Sequence, residues 1–228
     1  MNSLTLMDCV QGSREWLEAR CGLVTASRCG DVIAMTKKGE EKSERALYRG
    51  EVMSEILTGK PYPHRVTREM QWGIEQEPFA RAAYEMQRGI LVEICGFIPH
   101  PSVDRFGASS DGLVGDDGLI QIKCPNTTTH LAWMLSGSIP VEHMPQMLGE
   151  MSCTQRAWCD FVSYDPRLPE HLQLYVKRFP RDAKLIAVLE REVEHFNTEI
   201  DEQIAALPQK PQGLVECLDR VANDELIF

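Results

Sequence analysis

The hydrophobic pattern of this chain changes period at Gly89, and that change most limits the fold. Before it the chain reads as helices. Ser13 can cap "REWLEARCG", Thr25 can cap "ASRCGDVIAM", and Gly22 breaks the chain between them. A third helix runs from about Ser43 to Leu57 and ends at Gly59, with Pro61 just beyond. The Pro-rich loop "TGKPYPHR" follows at 58–65. A fourth helical stretch, "TREMQWGIEQEPFARAAYEMQRG", then has Gly89 as its stop and Pro78 as a kink or break.

After Gly89 the period is two. "ILVEICGFI", "RFGASS", "LIQIKC", "CDFVSY" and "LQLYVKRF" read as strands separated by Pro, Gly and Asp turns. A helical segment from about Pro140 to Gln155 separates the third strand from the fourth. From Asp182 to Leu207, Leu185, Leu189, Val193, Phe196, Ile200 and Ile204 recur at spacings of three and four, which predicts an amphipathic helix. This order predicts an α/β (α+β) layered domain with a central mixed β-sheet flanked by helices.

The 228 residues, 43% of them hydrophobic, suit one domain with a sizeable core. Its parts are a helical region over about 1–89, a sheet core over about 90–180, and a C-terminal helix and tail over about 181–228. There is no internal repeat, and the polar "LPQKPQG" precedes the tail. No run of 18 apolar residues occurs, and "MNSLTLMDCV" lacks the basic and apolar regions of a signal peptide, so a cytoplasmic protein without a membrane partner is expected. The eight cysteines, at 9, 21, 29, 95, 124, 153, 159 and 217, form no CxxC pair. That excludes a zinc ribbon or thioredoxin motif, and they read as reduced, mostly buried thiols.

A net charge of -10 argues against a protein that coats nucleic acid with its whole surface. The charge is uneven. Up to residue 70 there are 11 basic and 10 acidic residues, against 13 and 24 after it. Any DNA contact therefore leans on the N-terminal third and on bound cations, and most of the acidic remainder is a solvated face.

The stretch "SSDGLVGDDGLIQIKCP", 109–125, carries the chemistry. Phosphodiester cleavage needs an acidified water and a neutralised leaving oxygen, which divalent ions held by oxygen ligands provide. Asp111 is followed by a turn and a strand on which Gln121 and Lys123, two apart, share a face. The Ile122 carbonyl can add an oxygen ligand, and Lys123 can orient the attacking water or stabilise phosphate charge. Glu77, on the fourth helix with Glu75, is a candidate further acid. Taken alone, Asp-Gly is turn chemistry and a strand lysine is usually solvated, so the pattern by itself is weak.

The surroundings strengthen it. "EWLEARCGLVTAS", "WGIEQEPFARAAYE", "SSDGL" followed by "GLIQIKCP", "HMPQ" and "YDPR" come in an order and spacing that resembles the bacteriophage lambda exonuclease family, within the restriction-endonuclease-like PD-(D/E)xK nucleases, from about Trp16 to near Leu207. The resemblance implies that Asp111 is the central metal-binding aspartate, Lys123 the catalytic lysine and Glu77 a metal-proximal carboxylate. Arg20 and Ser27 match the pair that binds the 5'-phosphate of the strand being cut. Gln146 matches a glutamine beside the active site, whose usual aromatic companion is His143 here. Arg68 matches a basic residue near the DNA path, and Met70 an apolar wedge at the duplex end. Ser109, beside Asp111, falls on the DNA-binding side of the same motif. Physical chemistry agrees on the phosphate pair: a serine in a first helical turn lies among free amides, and an arginine binds phosphate bidentately.

Gln121 departs from the pattern, which calls for glutamate. Its amide oxygen can touch a metal but brings no charge. Removing one charge at about 4 Å and an effective dielectric of about 20 withdraws about 4 kcal/mol, or about a thousandfold in rate. Either the glutamine is a substitution that holds DNA without cutting, or it is native and the metal site is completed differently. The resemblance implies a Mg2+-dependent (or Mn2+-dependent) 5'-to-3' exonuclease on double-stranded ends bearing a 5'-phosphate. It would leave 3' single strands for recombination, form a homotrimer and work with a single-strand annealing protein. A related endonuclease and a non-catalytic DNA-end-binding module are the alternatives, and Gln121 favours the second.

Overall fold

The computed structural model describes residues 9–63 and 65–208, so Cys217 and the tail lie outside the described residues. In chain order the helices and strands are α1 (Arg14–Ala19), β1 (Val24–Thr25), α2 (Cys29–Val32), α3 (Ser43–Thr58), α4 (Arg68–Arg88), β2 (Val92–Glu93), β3 (Ile98–Pro99), β4 (Phe106–Ala108), β5 (Gly112–Val114), β6 (Gly118–Lys123), α5 (Thr127–Ser136), α6 (Met144–Thr154), β7 (Trp158–Tyr164), β8 (Leu174–Pro180) and α7 (Ala183–Ala206). The strands make a five-stranded sheet, β2-β5-β6-β7-β8, and a smaller one, β1-β4-β3. The larger sheet is mixed, because β6 and β7 run parallel while its other pairs are antiparallel.

The expected α/β architecture is present, but its sheet is divided. "ILVEICGFI" supplies two short strands, β2 and β3, one to each sheet. In β6 every residue but Lys123 is buried, because helices cover both faces. Ile120 and Ile122 join Val162 of β7 and Ala80 and Tyr84 of α4 in one cluster. Leu119 joins Cys159, Phe161, Met147 and Met151 of α6, and Val193 and Phe196 of α7 in the other. The alternation thus assigns even residues of β6 to the α4 side and odd residues, Gln121 and Lys123 among them, to the α6 side. Lys123 therefore ends a central strand and is not on an edge.

The caps behave unevenly. Ser13 Oγ accepts from the Trp16 amide at 3.1 Å, and Gly59 and Gly89 close their helices in the left-handed conformation. Thr25 does not cap a ten-residue helix. It pairs in β1 with Gly107, and after it comes a 3-10 turn, Ala26–Arg28, and the single turn of α2. That helix stops at Val32, whose carbonyl accepts from Arg45 Nε at 2.8 Å. Pro78 does not break α4, which continues to Arg88. The burial of Ala80 and Tyr84 against the sheet holds the second half in place.

In α7, Leu189, Val193, Phe196 and Ile200 are buried as expected. Leu185 is exposed and Ile186 takes the inner position. Helix α5 and strand β5 were not expected. Three consecutive threonines disfavour α5, which is nevertheless capped by Asn126 Oδ1 on the Thr129 amide at 2.9 Å. It is docked by His130, whose ring nitrogens meet Ser163 Oγ at 2.8 Å and the Leu172 carbonyl at 2.9 Å. The seven described cysteines are free, and Cys29, Cys95, Cys153 and Cys159 are buried, as the sequence implied.

Gly107 in β4 lies against the far end of the ring of fully buried Phe97, and a Cβ added there would overlap it. Gly107→Ala is expected to destabilise the fold by about 1–3 kcal/mol, read as a lower urea midpoint at unchanged slope. An unaltered midpoint would mean that Phe97 has room to move.

Candidate functional site

The antiparallel ladder between β5 and β6 ends where Gly112 faces Ile120. One residue earlier, Asp111 turns its carboxylate onto β6: Oδ2 accepts from the Ile122 amide at 2.6 Å and from Gln121 Nε2 at 2.6 Å. Gln121 is buried, and its Oε1 has no partner among the described residues. Lys123, one step along the same face, donates from Nζ to Gln146 Oε1 at 3.1 Å. Gln146 in turn donates from Nε2 to Glu150 Oε1 at 2.9 Å. Glu77 reaches the same space from α4 and is ion-paired with Arg81, one turn on.

All of these polar side chains but Glu150 and Arg81 line one cleft of about 540 Å3. Of the residues singled out from the sequence, Glu77, Asp111, Gln121, Ile122 and Lys123 lie in it together with Arg20, Ser27, Met70, Ser109 and Gln146. Arg68 does not line it and is exposed at the first residue of α4. Glu75 is also exposed, and it accepts from Gln71 Nε2 at 2.8 Å.

In the same cleft, Arg20 lies 4.0 Å over the Trp16 ring and donates from a terminal nitrogen to Thr25 Oγ1 at 3.2 Å. Thr25 Oγ1 is 3.2 Å from Ser27 Oγ, and the Thr25 amide donates to Tyr48 Oη at 3.0 Å. Ser27 belongs to the 3-10 turn and not to the first turn of a long helix, so little helix dipole acts here. The polarity comes from the guanidinium and two hydroxyls. Trp16 Nε1 donates to Ser109 Oγ at 2.7 Å, tying this group to the residue two before Asp111.

Sequence reasoning missed several members. Arg81 was findable as a cation four residues after Glu77 on a helix, and Glu150 as a carboxyl four after Gln146 in an otherwise apolar run. Thr25 was read only as a cap. Trp133, also missed, lines the cleft beside His143, the companion of Gln146 in its sequence motif; the two rings meet edge-on, at 5.3 Å between centres, and His143 stacks on Phe161. Their contact depends on tertiary packing that no local spacing displays.

The electrostatics are those of crowded carboxylates. Burial first, and then the charge of Asp111, push Glu77 up to about 7. Burial likewise raises Asp111 against the opposing pull of Lys123 and the Ile122 amide, and it raises Glu150. Burial and the Lys123 charge lower His143 to about 4, so its ring is neutral. Arg20 and Lys123 are the cationic side chains of the lining, against Glu69, Glu77 and Asp111.

Among the described residues, no three His, Cys, Asp or Glu side chains converge as a metal-holding group. A cation here would therefore draw on amide and backbone oxygens as well as on Asp111 and Glu77. The donors fit that demand. All are oxygens, the partnerless Oε1 of Gln121 is among them, and two carboxylates repel across the cleft, which suits Mg2+ or a similar hard ion.

Comparison with known proteins gives a consistent picture. The family described as the YqaJ-like viral recombinase domain matches residues 15–157. The alkaline exonuclease LHK-Exo from Laribacter hongkongensis is similar in structure, at 45% identity and a TM-score of 0.77, over 92% of this chain and 98% of that one. Its complex with dAMP matches at 44% identity and a TM-score of 0.78 over the same shares. A phage related exonuclease from Haemophilus somnus 129PT shares the fold at 16% identity and a TM-score of 0.64, over 82% of this chain and 96% of that one. Among curated proteins, none matches.

A carboxyl with a raised pKa binds its proton in the folded state and not in the unfolded one between the ordinary 4.5 and about 7. Folding stability then falls as pH rises through that window and is flat above it. Cation-free protein is therefore expected to lose melting temperature between about pH 5 and pH 7, and Glu77→Gln to lose less. Calorimetry in EDTA measures both, and equal slopes would show that Glu77 carries no such burden.

Proposed function

Because the chain belongs to the family of the YqaJ-like viral recombinase domain and has its restriction-endonuclease-like fold, we propose that it is an exodeoxyribonuclease that digests one strand of double-stranded DNA from a 5'-phosphorylated end. On this reading it works in the cytoplasm with Mg2+, runs 5' to 3' and leaves a 3' single strand for recombination. One observation carries the reading: the Asp111–Gln121–Lys123 cluster and the Arg20–Thr25–Ser27 cluster line one and the same cleft.

Asp111, Glu77, Gln121 Oε1 and the Ile122 carbonyl would hold the cation, whose chemistry supplies an acidified water and a counter-charge for the leaving oxygen. The Lys123 ammonium, held by Gln146 Oε1, points a proton donor at the scissile phosphate or the attacking water. Arg20 and the Ser27 hydroxyl take the terminal 5'-phosphate, with Arg20 fixed by Thr25 and by the face of Trp16. Half-exposed Met70 and neighbouring Ile74, on the lip formed by α4, present an apolar edge to the end of the duplex. Arg68, outside the cleft, contacts the DNA backbone farther out. The dAMP complex of the similar alkaline exonuclease supports a cleft that takes single nucleotides. A homotrimer around the DNA, working with a single-strand annealing protein, completes the proposal, since an acidic chain can then concentrate its cations on an inner surface.

A second reading has its own support. Gln121 donates to Asp111 at 2.6 Å, which engages the central carboxylate without a cation. A protein of this kind holds duplex ends longer than it cuts them.

Two experiments test the proposal. Arg20→Ala is expected to reduce the preference for 5'-phosphoryl over 5'-hydroxyl ends by about 1.5–3 kcal/mol, measured as kcat/KM on the two duplexes. Equal loss on both would make Arg20 structural. Gln121→Glu keeps the side-chain length, and places a second carboxylate against Asp111 where an N–H donor had been. It is expected to raise Mg2+ affinity and cutting rate together, the rate by about two to three orders of magnitude. Binding of a duplex end in Ca2+ should change far less. An unchanged or lower rate in a folded variant would establish glutamine as the working ligand.

A further inference from the structure

Glu150 sits on α6 with no solvent exposure, in a helix that otherwise buries Met147, Leu148, Met151 and Cys153. A methionine or leucine would fill that space at lower cost, since a buried carboxyl is destabilising unless it is bonded. Its Oε1 accepts one hydrogen bond, from Gln146 Nε2 at 2.9 Å, and its Oε2 has no partner among the described residues.

The partner explains the choice. The two ends of a glutamine amide have the same shape, so packing alone does not decide which faces the cleft. The Lys123 ammonium has only donors and requires the oxygen end. Gln146 meets this requirement, with Oε1 at 3.1 Å from Lys123 Nζ. The nitrogen end then needs an acceptor on the other side, and Glu150 Oε1 is that acceptor. With an apolar residue in place of Glu150, the amide is free to turn its N–H groups toward the ammonium, donor against donor.

We propose that Glu150 is a positioning residue, which fixes the orientation of the Gln146 amide and thereby holds the Lys123 ammonium in place for the reaction. It touches neither substrate nor cation. The inference rests on the exonuclease reading, but the arrangement of the three side chains can be read without activity.

The test compares Glu150→Leu with Glu150→Gln, whose side-chain oxygen can accept from the same Nε2. The 15N–1H signals of the Gln146 side chain, assigned by their loss in Gln146→Met, report the contact. In Glu150→Leu these protons are expected to shift and to exchange with solvent at the rate of a free glutamine. At the same time kcat on a 5'-phosphorylated duplex with Mg2+ should fall by about tenfold or more, with KM within about twofold. Glu150→Gln should restore both. Adding Glu150→Leu to Gln146→Met should lower kcat no further, since both act through one contact, whereas a purely structural role would add.

An unchanged Gln146 signal in folded Glu150→Leu overturns the proposal, and so does an unchanged kcat beside an active parent. If Glu150→Leu does not fold, the parent decides: Gln146 amide protons that exchange as fast as those of free glutamine overturn it, and protected ones support it. If no variant cuts DNA while the amide responds as stated, the exonuclease reading fails and the positioning of Gln146 stands.

Discussion

The Ile122 amide is bonded to a side chain. Strand β5 begins only at Gly112, opposite Ile120, so this N–H, near the end of a buried strand, would lack an acceptor if Asp111 did not supply Oδ2 at 2.6 Å. A buried amide without a partner costs about 1–3 kcal/mol. Folding therefore drives the Asp111 carboxylate into the sheet. Once there, it sets the rest of the site: Gln121 turns toward it, Glu77 is burdened by it, and the cleft opens over it. The residue that completes the ladder is also the residue that chemistry at a phosphate would need, so the functional group is held by an interaction that stability already requires.

How much of this could be read from the chain varies with the physics involved. Long helices such as α4 and α7 showed because one face repeats over many turns and glycine or a cap marks the ends. Lys123 and Gln121 were placed on one face by the two-residue period of a strand, and they lie on one face. The two- and three-residue strands around them were harder. β2, β3 and β5 are too short to show a period, and their pairing is decided by partners far along the chain. Thr25 looked like a helix cap because threonine is good at capping, yet its amide is taken by Tyr48, 23 residues away, and its hydroxyl by Arg20 and Ser27. Arg20 was read as a phosphate ligand. In the fold it stacks on Trp16, and the same geometry turns the side chain toward the cleft.

The charge pattern also takes on a spatial meaning. A chain with a net charge of -10 has a cleft whose own lining is slightly acidic, with Arg20 and Lys123 as its cations. Neither cation alone attracts a polyanion strongly. Divalent ions would reverse the sign locally, which makes nucleic-acid affinity in such a cleft a function of cation concentration as much as of protein sequence.

Helix α6 presents Gln146 to Lys123, while three residues along it Gly149 rests against Ala26 and Cys29, where a Cβ would come within 3.0 Å of each side chain. The 3-10 turn carrying Ser27 is thereby pressed directly on the backbone of the helix that braces Lys123. The separation of Ser27 from Lys123 is thus tied to a close contact in the core. On the proposed reading this works as a caliper: the interval between the anchored phosphate and the bond that is broken follows from a glycine contact in the core, whichever base lies between.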